Sequence, residues 1–393
     1  MKILYLTLED ISLHKGSVVH IKEIVEGLRN HGHEIGLMAR AQAPYDQVDH
    51  FYTLNLFRSW LPKGLRNKTP AILLSFVLMF FLLFKVLRRY DLLYARDYHT
   101  VIASFLPRSM WRKKLVFEVN GLASEQRELR GESFVNGFLV WILGCGERFA
   151  TRWSDAIVSV TPQIASFLTD HYCCKAEKVK VVSNGVNTKI FQPIDDEVLL
   201  TKTREELNIR PEHRVVAFVG NLAPWQGVEY LIEMAPSLLK EISQVTFLVV
   251  GDGPMRKELE AAVKRCGLGD HFVFTGMVNY EKIPIYINVA DLCVLPKRRL
   301  KSGWSPLKLY EYMACGKPVV ASRVEGLDFI EKEGVGRLME PEDANSLKLA
   351  ILDLLQEPQK GALMGQKGVQ MARERFNWET KVREIEHILH RLA

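Results

Sequence analysis

Cysteine is scarce in this sequence, and its six cysteines do not have the spacing of a metal site or of a disulfide framework. Zinc sites commonly use cysteine pairs two to four residues apart, and the cysteines here lack that spacing. His387 and His390 share a helix face, but with no third ligand in view we do not expect a metal site. Several of the cysteines lie within apolar stretches, so we expect reduced thiols in the hydrophobic core of a cytoplasmic protein. The six are Cys145, Cys173, Cys174, Cys266, Cys293 and Cys315. Disulfide-rich secreted proteins and zinc-finger proteins are therefore excluded.

A segment of signal-peptide type is also missing. The first ten residues, MKILYLTLED, reach acidic side chains too early for the apolar core of such a peptide. We expect a first buried strand there instead.

No apolar run is long enough to predict a membrane-spanning helix. The longest, 71–84, has 14 residues with Ser75 as its single polar side chain. A helix of that length is about 21 Å long, short of a bilayer core of about 30 Å. Two interpretations remain open: a buried helix packed on a sheet, or a helix that docks on a membrane or a protein partner. Because Lys85, Arg88 and Arg89 follow directly, we keep 71–89 as a candidate contact with an anionic membrane surface.

Neither sign of charge dominates. The chain has 52 Lys and Arg against 46 Asp and Glu, and a formal net charge of +6. The basic residues are spread along the chain rather than concentrated among aromatic residues, so we do not expect nucleic-acid binding. This balance suits a phosphorylated small molecule or an anionic membrane surface as the partner.

Two common ligand motifs are missing as well. The loop between the first predicted strand and helix lacks the G-x-G-x-x-G spacing, which disfavours a nicotinamide-dependent enzyme. No Asp-x-Asp pair is present, so no cofactor or divalent cation is required. Gly16 and Ser17 nevertheless lie at the carboxyl end of that strand, the edge where parallel sheets bind ligands.

A length of 393 residues and a hydrophobic content of 48% suit two globular domains, each with its own core. Short apolar strands alternate with helices through both halves, and a turn rich in glycine or proline follows most strands. This pattern predicts two α/β domains with parallel sheets. We place the first domain at 1–190 and the second at 191–375. The final helix, within 376–393, is expected to pack back on the first domain.

The most informative stretch is 302–322, which predicts a loop, a helix and a strand in immediate succession. Ser305 is a suitable N-cap, and Pro306 suits the first helical position. Gly316 suits a helix end in the left-handed conformation. Lys308 and Glu311 share one face of the first two turns, beside backbone N–H groups that favour an anion. The stretch therefore predicts a site for a phosphorylated ligand.

The order and spacing of several motifs resemble the retaining glycosyltransferases of family 4, which have the GT-B fold. The motifs are GS at 16–17, VSNGVN at 182–187, VGDGP at 250–254, FTGMV at 274–278, AD at 290–291 and EYMACGKPVVAS at 311–322. The resemblance covers essentially the whole chain. It implies two Rossmann-like domains that face each other across a cleft, with a nucleotide-sugar donor held mainly by the second domain and an acceptor by the first.

The resemblance also implies roles for individual residues. Glu311 would bind the donor ribose, while backbone amides at Gly276 and Val278 would contact the base. Ser305 and the amides before Leu309 would hold the diphosphate at the helix N-terminus. Gly16 and Ser17 would approach the phosphate from the first domain, and Gly253 lies in a donor-side turn. Asn120, at the carboxyl end of a strand, is positioned for a ligand and is a candidate catalytic residue, and Glu125 is a candidate to contact the acceptor or to act as a general base.

Three positions depart from the family pattern. The first Glu of the motif that ends at Glu311 falls on Gly303. The Arg and Lys that commonly neutralise the diphosphate fall on Asn221 and Gln226, and a common His falls on Asn120. A leaving diphosphate needs its charge stabilised, so we expect other cations to replace the missing pair. Lys308 is the main candidate, with Arg298, Lys301 or Arg256 in support.

The sequence thus predicts a cytoplasmic enzyme, peripheral to the inner membrane face, that uses a UDP-sugar or GDP-sugar. Its expected acceptor is a cell-envelope glycan, a lipid-linked sugar or another small acceptor. Two alternatives stay open. One is a non-catalytic GT-B subunit that binds a nucleotide sugar or a partner transferase, and the other is a GT-B epimerase or phosphorylase.

Overall fold

The structure is a computed structural model that describes residues 1–13, 15–55, 69–122, 134–299 and 305–392. The chain divides into two compact units. The N-terminal unit comprises Met1–Asn184 and Trp378–Ala393, and the C-terminal unit comprises Gly185–Asn377. The sequence placed the boundaries at 190 and 375, a few residues away. The segment that follows residue 184 belongs to the C-terminal unit, where the Ile194 amide donates to Asn288 Oδ1 over 3.1 Å.

Seven described strands form the sheet of the N-terminal unit, and every neighbouring pair is parallel. They are β1 (Lys2–Asp10), β2 (Glu34–Arg40), β3 (His50–Thr53), β4 (Leu92–Ala95), β5 (Lys114–Val119), β6 (Ala156–Ser159) and β7 (Val179–Val181). The order across the sheet is β3-β2-β1-β4-β5-β6-β7. The sequence missed β3, an edge strand whose side chains are exposed or half-buried and therefore lack an apolar pattern.

The described helices of this unit follow the strands, as parallel connections require. They are α1 (Gly16–Asn30), α2 (Thr69–Val86), α3 (Tyr98–Met110), α4 (Phe134–Trp153), α5 (Pro162–Tyr172) and, at the chain end, α14 (Trp378–His390). Helix α3 contacts both α2 and α4, whereas α14 packs on α1. The return of the final helix to the first domain agrees with the prediction from the sequence.

Helix α2 is neither fully buried nor fully exposed. One row of side chains, including Met79 and Leu83, enters the core of the N-terminal unit. The opposite row is exposed although it is apolar: Ile72, Leu73, Val77 and Phe81. By length and composition alone Ala71–Arg89 could cross a membrane, which the apolar run did not predict, but only 33% of that window is buried. Because one row packs in the core, we interpret α2 as a helix of the N-terminal unit with an exposed apolar face.

Six described strands form the sheet of the C-terminal unit, again with parallel neighbours. They are β8 (Arg214–Val219), β9 (Val245–Val250), β10 (Phe272–Gly276), β11 (Leu292–Leu295), β12 (Val319–Ser322) and β13 (Gly336–Met339). The order is β10-β9-β8-β11-β12-β13. The sequence located all of these except β13. The predicted α/β class, with two parallel Rossmann-like units, is confirmed.

The described helices of the C-terminal unit are α6 (Glu197–Glu206), α7 (Glu229–Leu239), α8 (Arg256–Arg265), α9 (Ile283–Val289), α10 (Leu307–Ala314), α11 (Phe329–Lys332), α12 (Ala344–Gln356) and α13 (Pro358–Arg375). The short helix α10 packs closely on α13. Two apolar clusters, one on each side of the sheet, form the core.

Candidate functional site

Three loops meet at the carboxyl edge of the C-terminal sheet. The loop after β8 is joined to the loop after β9, because the Leu222 amide donates to the Asp252 carbonyl over 2.9 Å and the Met255 amide donates to the Leu222 carbonyl over 3.0 Å. The Gly251 amide donates in turn to the carbonyl of Gly276, at the end of β10, over 3.0 Å. Ligands of such sheets bind at this edge.

The predicted residues Asn221 and Gly253 are neighbours in this arrangement. A Cβ atom on Gly253 would lie 2.5 Å from Asn221 Oδ1 and 2.5 Å from the Leu222 carbonyl oxygen. A side chain at position 253 would therefore push the two loops apart. The role of Gly253 in this structure is to allow that contact.

Helix α10 begins later than predicted. Its N-cap is Pro306, without a side-chain cap, and its first residue is Leu307. Ser305 is therefore not the N-cap, and its hydroxyl lies 3.4 Å from the Tyr310 hydroxyl. The Leu309 amide is also not free, since it donates to the Pro306 carbonyl over 3.0 Å. The open backbone donors of this terminus accordingly precede Leu309.

Lys308 points back at the loop after β8. Its Nζ donates to Gln226 Oε1 over 3.2 Å and lies 4.3 Å from the centroid of the Phe218 ring. Gly220 has φ +142°, and a Cβ atom there would lie 2.2 Å from Nζ, so glycine is required. Burial lowers the pKa of Lys308 to about 7, against the opposing charge of Glu311. The structure thus brings together Lys308 and Gln226, one of the two positions where the expected cations are missing.

Glu311 is buried one turn further along α10. Burial raises the pKa of its carboxyl to about 7, although the charge of Lys308 and a hydrogen bond from Tyr280 act in the opposite direction. A second lysine, Lys297, is buried in the loop after β11. Burial lowers the pKa of Lys297 well below its usual range, and the positive charge of Lys308 adds to this effect. Two lysine side chains and one carboxyl group therefore share a poorly hydrated region that disfavours their charged forms.

The other predicted cations have carboxylate partners. Arg256 pairs with Asp252 over 3.2 Å and with Glu260 over 2.8 Å. Arg298 pairs with Glu229 over 2.8 Å and lies 6.0 Å from the ring centroid of Tyr230. Their charge is already compensated, which makes them poor substitutes for the missing cations.

The residues expected to contact the base lie at the end of β10. Gly276 is buried, and its carbonyl is occupied by the Gly251 amide. Val278 is half-buried and packs on the core of the C-terminal unit. Glu125, Lys301 and Gly303 lie outside the described residues.

In the N-terminal unit, the predicted phosphate loop is the start of a helix. Helix α1 begins at Gly16, with Lys15 as N-cap and no side-chain cap. Gly16 is exposed and Ser17 is half-buried. Both residues therefore offer first-turn backbone amides after β1, at the carboxyl edge of the sheet.

Asn120 follows β5 at the same edge, where its side-chain amide donates to the Glu118 carboxylate. Glu118 is buried and also pairs with His20, and Arg96 Nε lies 3.9 Å away. Burial alone would raise the pKa of Glu118, but the charge and hydrogen bond of His20, with Arg96 and Asn120, lower it to about 2. His20 Nδ1 lies 2.7 Å from Asn184 Oδ1. This network fixes Asn120.

Sequence reasoning missed His20, Glu118 and Tyr280, and gave Lys297 no particular role. His20 and Glu118 lie 98 positions apart in helix α1 and strand β5, so nothing local connects them. A charged residue inside an apolar strand, as Glu118 is in KLVFEV, was the available signal. The cysteine prediction was also only partly right: Cys293 and Cys315 are buried, while Cys145, Cys173 and Cys266 are exposed.

Two family models match the sequence, one in each half. The family described as Glycosyltransferase Family 4 matches residues 14–190. The family described as Glycosyl transferases group 1 matches residues 201–371. Each match covers less than half of the chain, and together they cover most of both units.

Two relatives illustrate the similarity. An uncharacterized glycosyltransferase of Methanocaldococcus jannaschii is 24% identical over 329 residues, which are 81% of this chain and 79% of the relative. The GDP-mannose-dependent alpha-(1-6)-phosphatidylinositol monomannoside mannosyltransferase of Mycolicibacterium smegmatis is 30% identical over 210 residues, 52% of this chain and 54% of the relative. The chain therefore matches about half the length of the second relative.

A solved structure has the same fold over the full length. Anabaena HepE in complex with UDP-glucose superposes with a TM-score of 0.76 at 22% identity, and the match covers 100% of both chains. At that identity the likeness concerns the fold alone. The two parallel-sheet units and this likeness show that the chain has the GT-B fold, and the family models show that its two halves are similar to Glycosyltransferase Family 4 and to Glycosyl transferases group 1.

Proposed function

We propose that this chain transfers a sugar from a nucleotide-sugar donor to a cell-envelope glycan or lipid-linked acceptor, with retention of configuration. The observation that carries the proposal is the contact of Lys308 Nζ with Gln226 Oε1 over 3.2 Å, beside the N-terminus of α10. This contact supports Lys308 as the group that carries positive charge beside the loop after β8, which holds Asn221 and Gln226. The two family-model matches and the names of the relatives support the reaction class.

In this proposal the C-terminal unit holds the donor. Lys308 and the first amides of α10 neutralise the diphosphate, and the negative charge of the diphosphate keeps Lys308 protonated. Glu311 accepts hydrogen bonds from the ribose hydroxyls. As the sugar leaves, charge grows on the diphosphate, so donors that are already aimed at it lower the barrier.

The N-terminal unit presents the acceptor in this proposal, near Asn120 and the start of α1. Retention is proposed by analogy with the retaining members that the sequence resembles. The proposal keeps both UDP-sugars and GDP-sugars as candidate donors. One relative is named as GDP-mannose-dependent, and the Anabaena neighbour was solved with UDP-glucose. No cofactor beyond the donor is proposed.

The first test replaces Lys308 by Met, which keeps the length of the side chain and removes its charge. With a UDP-sugar and GDP-sugar panel, we expect Lys308→Met to lower kcat/KM for the donor by about 100-fold, because one charge-assisted contact to the diphosphate is lost. The matched control is Lys264→Met, which removes an exposed charge of helix α8. Undiminished turnover of Lys308→Met at saturating and subsaturating donor refutes the assignment.

Calorimetry on the wild-type protein separates the alternatives. Donor binding without hydrolysis or transfer across an acceptor panel would favour a non-catalytic subunit. Consumption of the nucleotide sugar without a sugar acceptor would favour an epimerase or phosphorylase. Transfer with an anomeric configuration opposite to that of the donor would refute retention, which proton NMR of the product reports.

We also propose that the protein works at the cytoplasmic membrane face through α2 and its neighbours. The exposed residues Ile72, Leu73, Val77 and Phe81 form an apolar strip, and α3 next to it exposes Leu106 and Met110. Arg88 and Arg89 are exposed where the strip ends. Apolar side chains beside cations favour an anionic lipid surface.

Liposome co-sedimentation tests this proposal. The double variant Val77→Ser and Phe81→Ser should lose binding to vesicles with anionic lipids, because it removes two exposed apolar side chains. The control is Val198→Ser, which removes an apolar side chain of the C-terminal unit that is 79% exposed. Binding that is equal in both variants, or absent in the wild-type protein, contradicts membrane docking.

A further inference from the structure

Three metal-ligating side chains of the N-terminal unit lie together at the amino end of β2. They are His33, just before that strand, and Glu386 and His390 of the final helix α14. This is the opposite edge of the sheet from Gly16 and Asn120, so the cluster is separate from the candidate site of that unit. Sequence reasoning paired His390 with His387 and found no third ligand, because His33 is more than 350 positions away in the chain.

The distances suit a metal ion. His33 Nε2 lies 2.8 Å from Glu386 Oε1, and His390 Nε2 lies 3.7 Å from the same oxygen. The three ligand atoms all lie within 4.8 Å of one another. In a tetrahedral zinc site with bonds of about 2.0–2.1 Å, neighbouring ligand atoms are about 3.4 Å apart. Small rotations of side chains bridge this difference.

The surrounding structure holds the ligands in place. Glu386 and His390 are one helical turn apart, so their side chains emerge from the same face of α14. The other carboxylate oxygen of Glu386 lies 3.0 Å from His31 Nδ1, and His31 Nε2 lies 3.0 Å from Glu379. Such outer partners commonly orient the ligands of metal sites. The His33 side chain is only 5% exposed, whereas His390 is 59% exposed, which leaves an open path for an ion and for water.

We propose that His33, Glu386 and His390 bind a divalent transition-metal ion of the zinc class, with water completing the coordination. Two imidazoles and one carboxylate form a donor set that zinc, cobalt and nickel accept readily. Binding needs a lone pair on His33 Nε2, so that nitrogen gives up its proton, to Nδ1 of the same ring when the ring is neutral and to solvent when the ring is charged. The ion thereby links the final helix to the start of β2.

Protein without an affinity tag, first treated with a chelator, tests the site. Titration with Zn²⁺ by calorimetry should show one site with a micromolar or lower Kd, and Co²⁺ should give a visible absorption band typical of tetrahedral or five-coordinate nitrogen and oxygen ligands. Saturating Zn²⁺ should also raise the Tm, since the ion binds the folded state only.

Two exposed histidines of one helix provide a matched pair of variants. His390→Ala should weaken Zn²⁺ binding at least 10-fold and abolish the Co²⁺ band, while His387→Ala, which removes a neighbouring exposed histidine, should leave both unchanged. Circular dichroism checks that both variants fold. Absence of saturable binding in the wild-type protein, or equal binding by the two variants, overturns the proposal. Neither outcome depends on transferase activity.

Discussion

At the residue scale, Lys308 brings an amino group from helix α10 to the loop after β8. The loop after β8 carries the neutral side chains of Asn221 and Gln226, and the amide oxygen of Gln226 accepts a hydrogen bond from Lys308. Position 220 has no side chain, which leaves room for the ammonium group. A buried lysine loses hydration and is charged at neutral pH only if an anion or dipoles stabilise it. This requirement fits a site for a phosphorylated ligand.

Glu118 makes a prediction about pH and stability at the same scale. Its pKa is about 2 in the folded protein against 4.5 for an unperturbed side chain, so its contribution to stability is complete above pH 4.5 and is lost as the pH falls towards 2. This carboxyl should lower the free energy of unfolding by about 2 kcal/mol between pH 5 and pH 3. The Glu118→Gln variant cannot titrate at this position, so its free energy of unfolding should fall by about 2 kcal/mol less between pH 5 and pH 3 than that of the wild-type protein.

Urea unfolding at the two pH values, followed by circular dichroism, measures the effect. Glu177→Gln is the control, because the Glu177 side chain is 75% exposed. Comparing each variant with itself at the two pH values removes the separate cost of leaving His20 and Arg96 without their carboxylate. An equal decrease in Glu118→Gln and the wild-type protein would contradict the assigned pKa.

At the element scale, the position of α10 depends on a glycine face of α13. Gly361, Gly365 and Gly368 are spaced one helical turn apart and face the region of α10. A Cβ atom on Gly365 would lie 1.9 Å from the Gly316 carbonyl oxygen, directly after α10. On Gly361 it would lie 3.4 Å from Pro318 Cγ, an ordinary contact. The close approach of the two helices therefore requires glycine at 365 but not at 361.

Gly365→Ala should destabilise the C-terminal unit by about 1–3 kcal/mol, because the backbone oxygen of Gly316 must move away. It should also weaken donor binding, since α10 carries Lys308 and Glu311. Gly361→Ala should be neutral or stabilise by up to about 1 kcal/mol, as alanine favours a helix. Thermal unfolding and donor titration of both variants measure this, and equal behaviour would refute the packing argument.

At the scale of the whole molecule, the final helix belongs to the unit that contains the first strand. Helix α14 buries Trp378, Val382, Ile385 and Leu389, and it packs on α1. Val382 lies so close to Gly27 that a Cβ atom there would be 2.5 Å from Cγ2. The N-terminal unit is therefore complete only when helix α14 is in place.

Leu389→Ala should lower the stability of the N-terminal unit by about 2–5 kcal/mol, since Leu389 is fully buried. We expect faster hydrogen exchange in α1, β1 and β2, and unchanged exchange in Gly185–Asn377. Mass spectrometry of peptic peptides measures both regions. Leu363→Ala is the control, because this leucine is 61% exposed. Equal acceleration in both units would contradict the assignment of α14.

The sequence by itself determined the fold class and nearly all of the strands. Fully buried parallel strands are short continuous apolar runs that end in turn residues, and this pattern is local. The pattern failed for β3, because an exposed edge strand has no apolar pattern. It also predicted the wrong N-cap for α10, because Ser305 and Pro306 both suit the start of a helix. The resemblance to family 4 supplied the roles of Glu311, Gly276 and Val278, which remain predictions.

Only the tertiary structure decided which distant side chains meet. Lys308 reaches Gln226 across 82 positions, Glu118 pairs with His20 across 98 positions, and Glu386 lies beside His33 across 353 positions. It also showed that Arg256 and Arg298 are already paired with carboxylates. Local sequence patterns predict which segments are buried and whether they form strands or helices. The partners of a charged side chain depend on how strands and helices are ordered in space, and no local pattern contains that information.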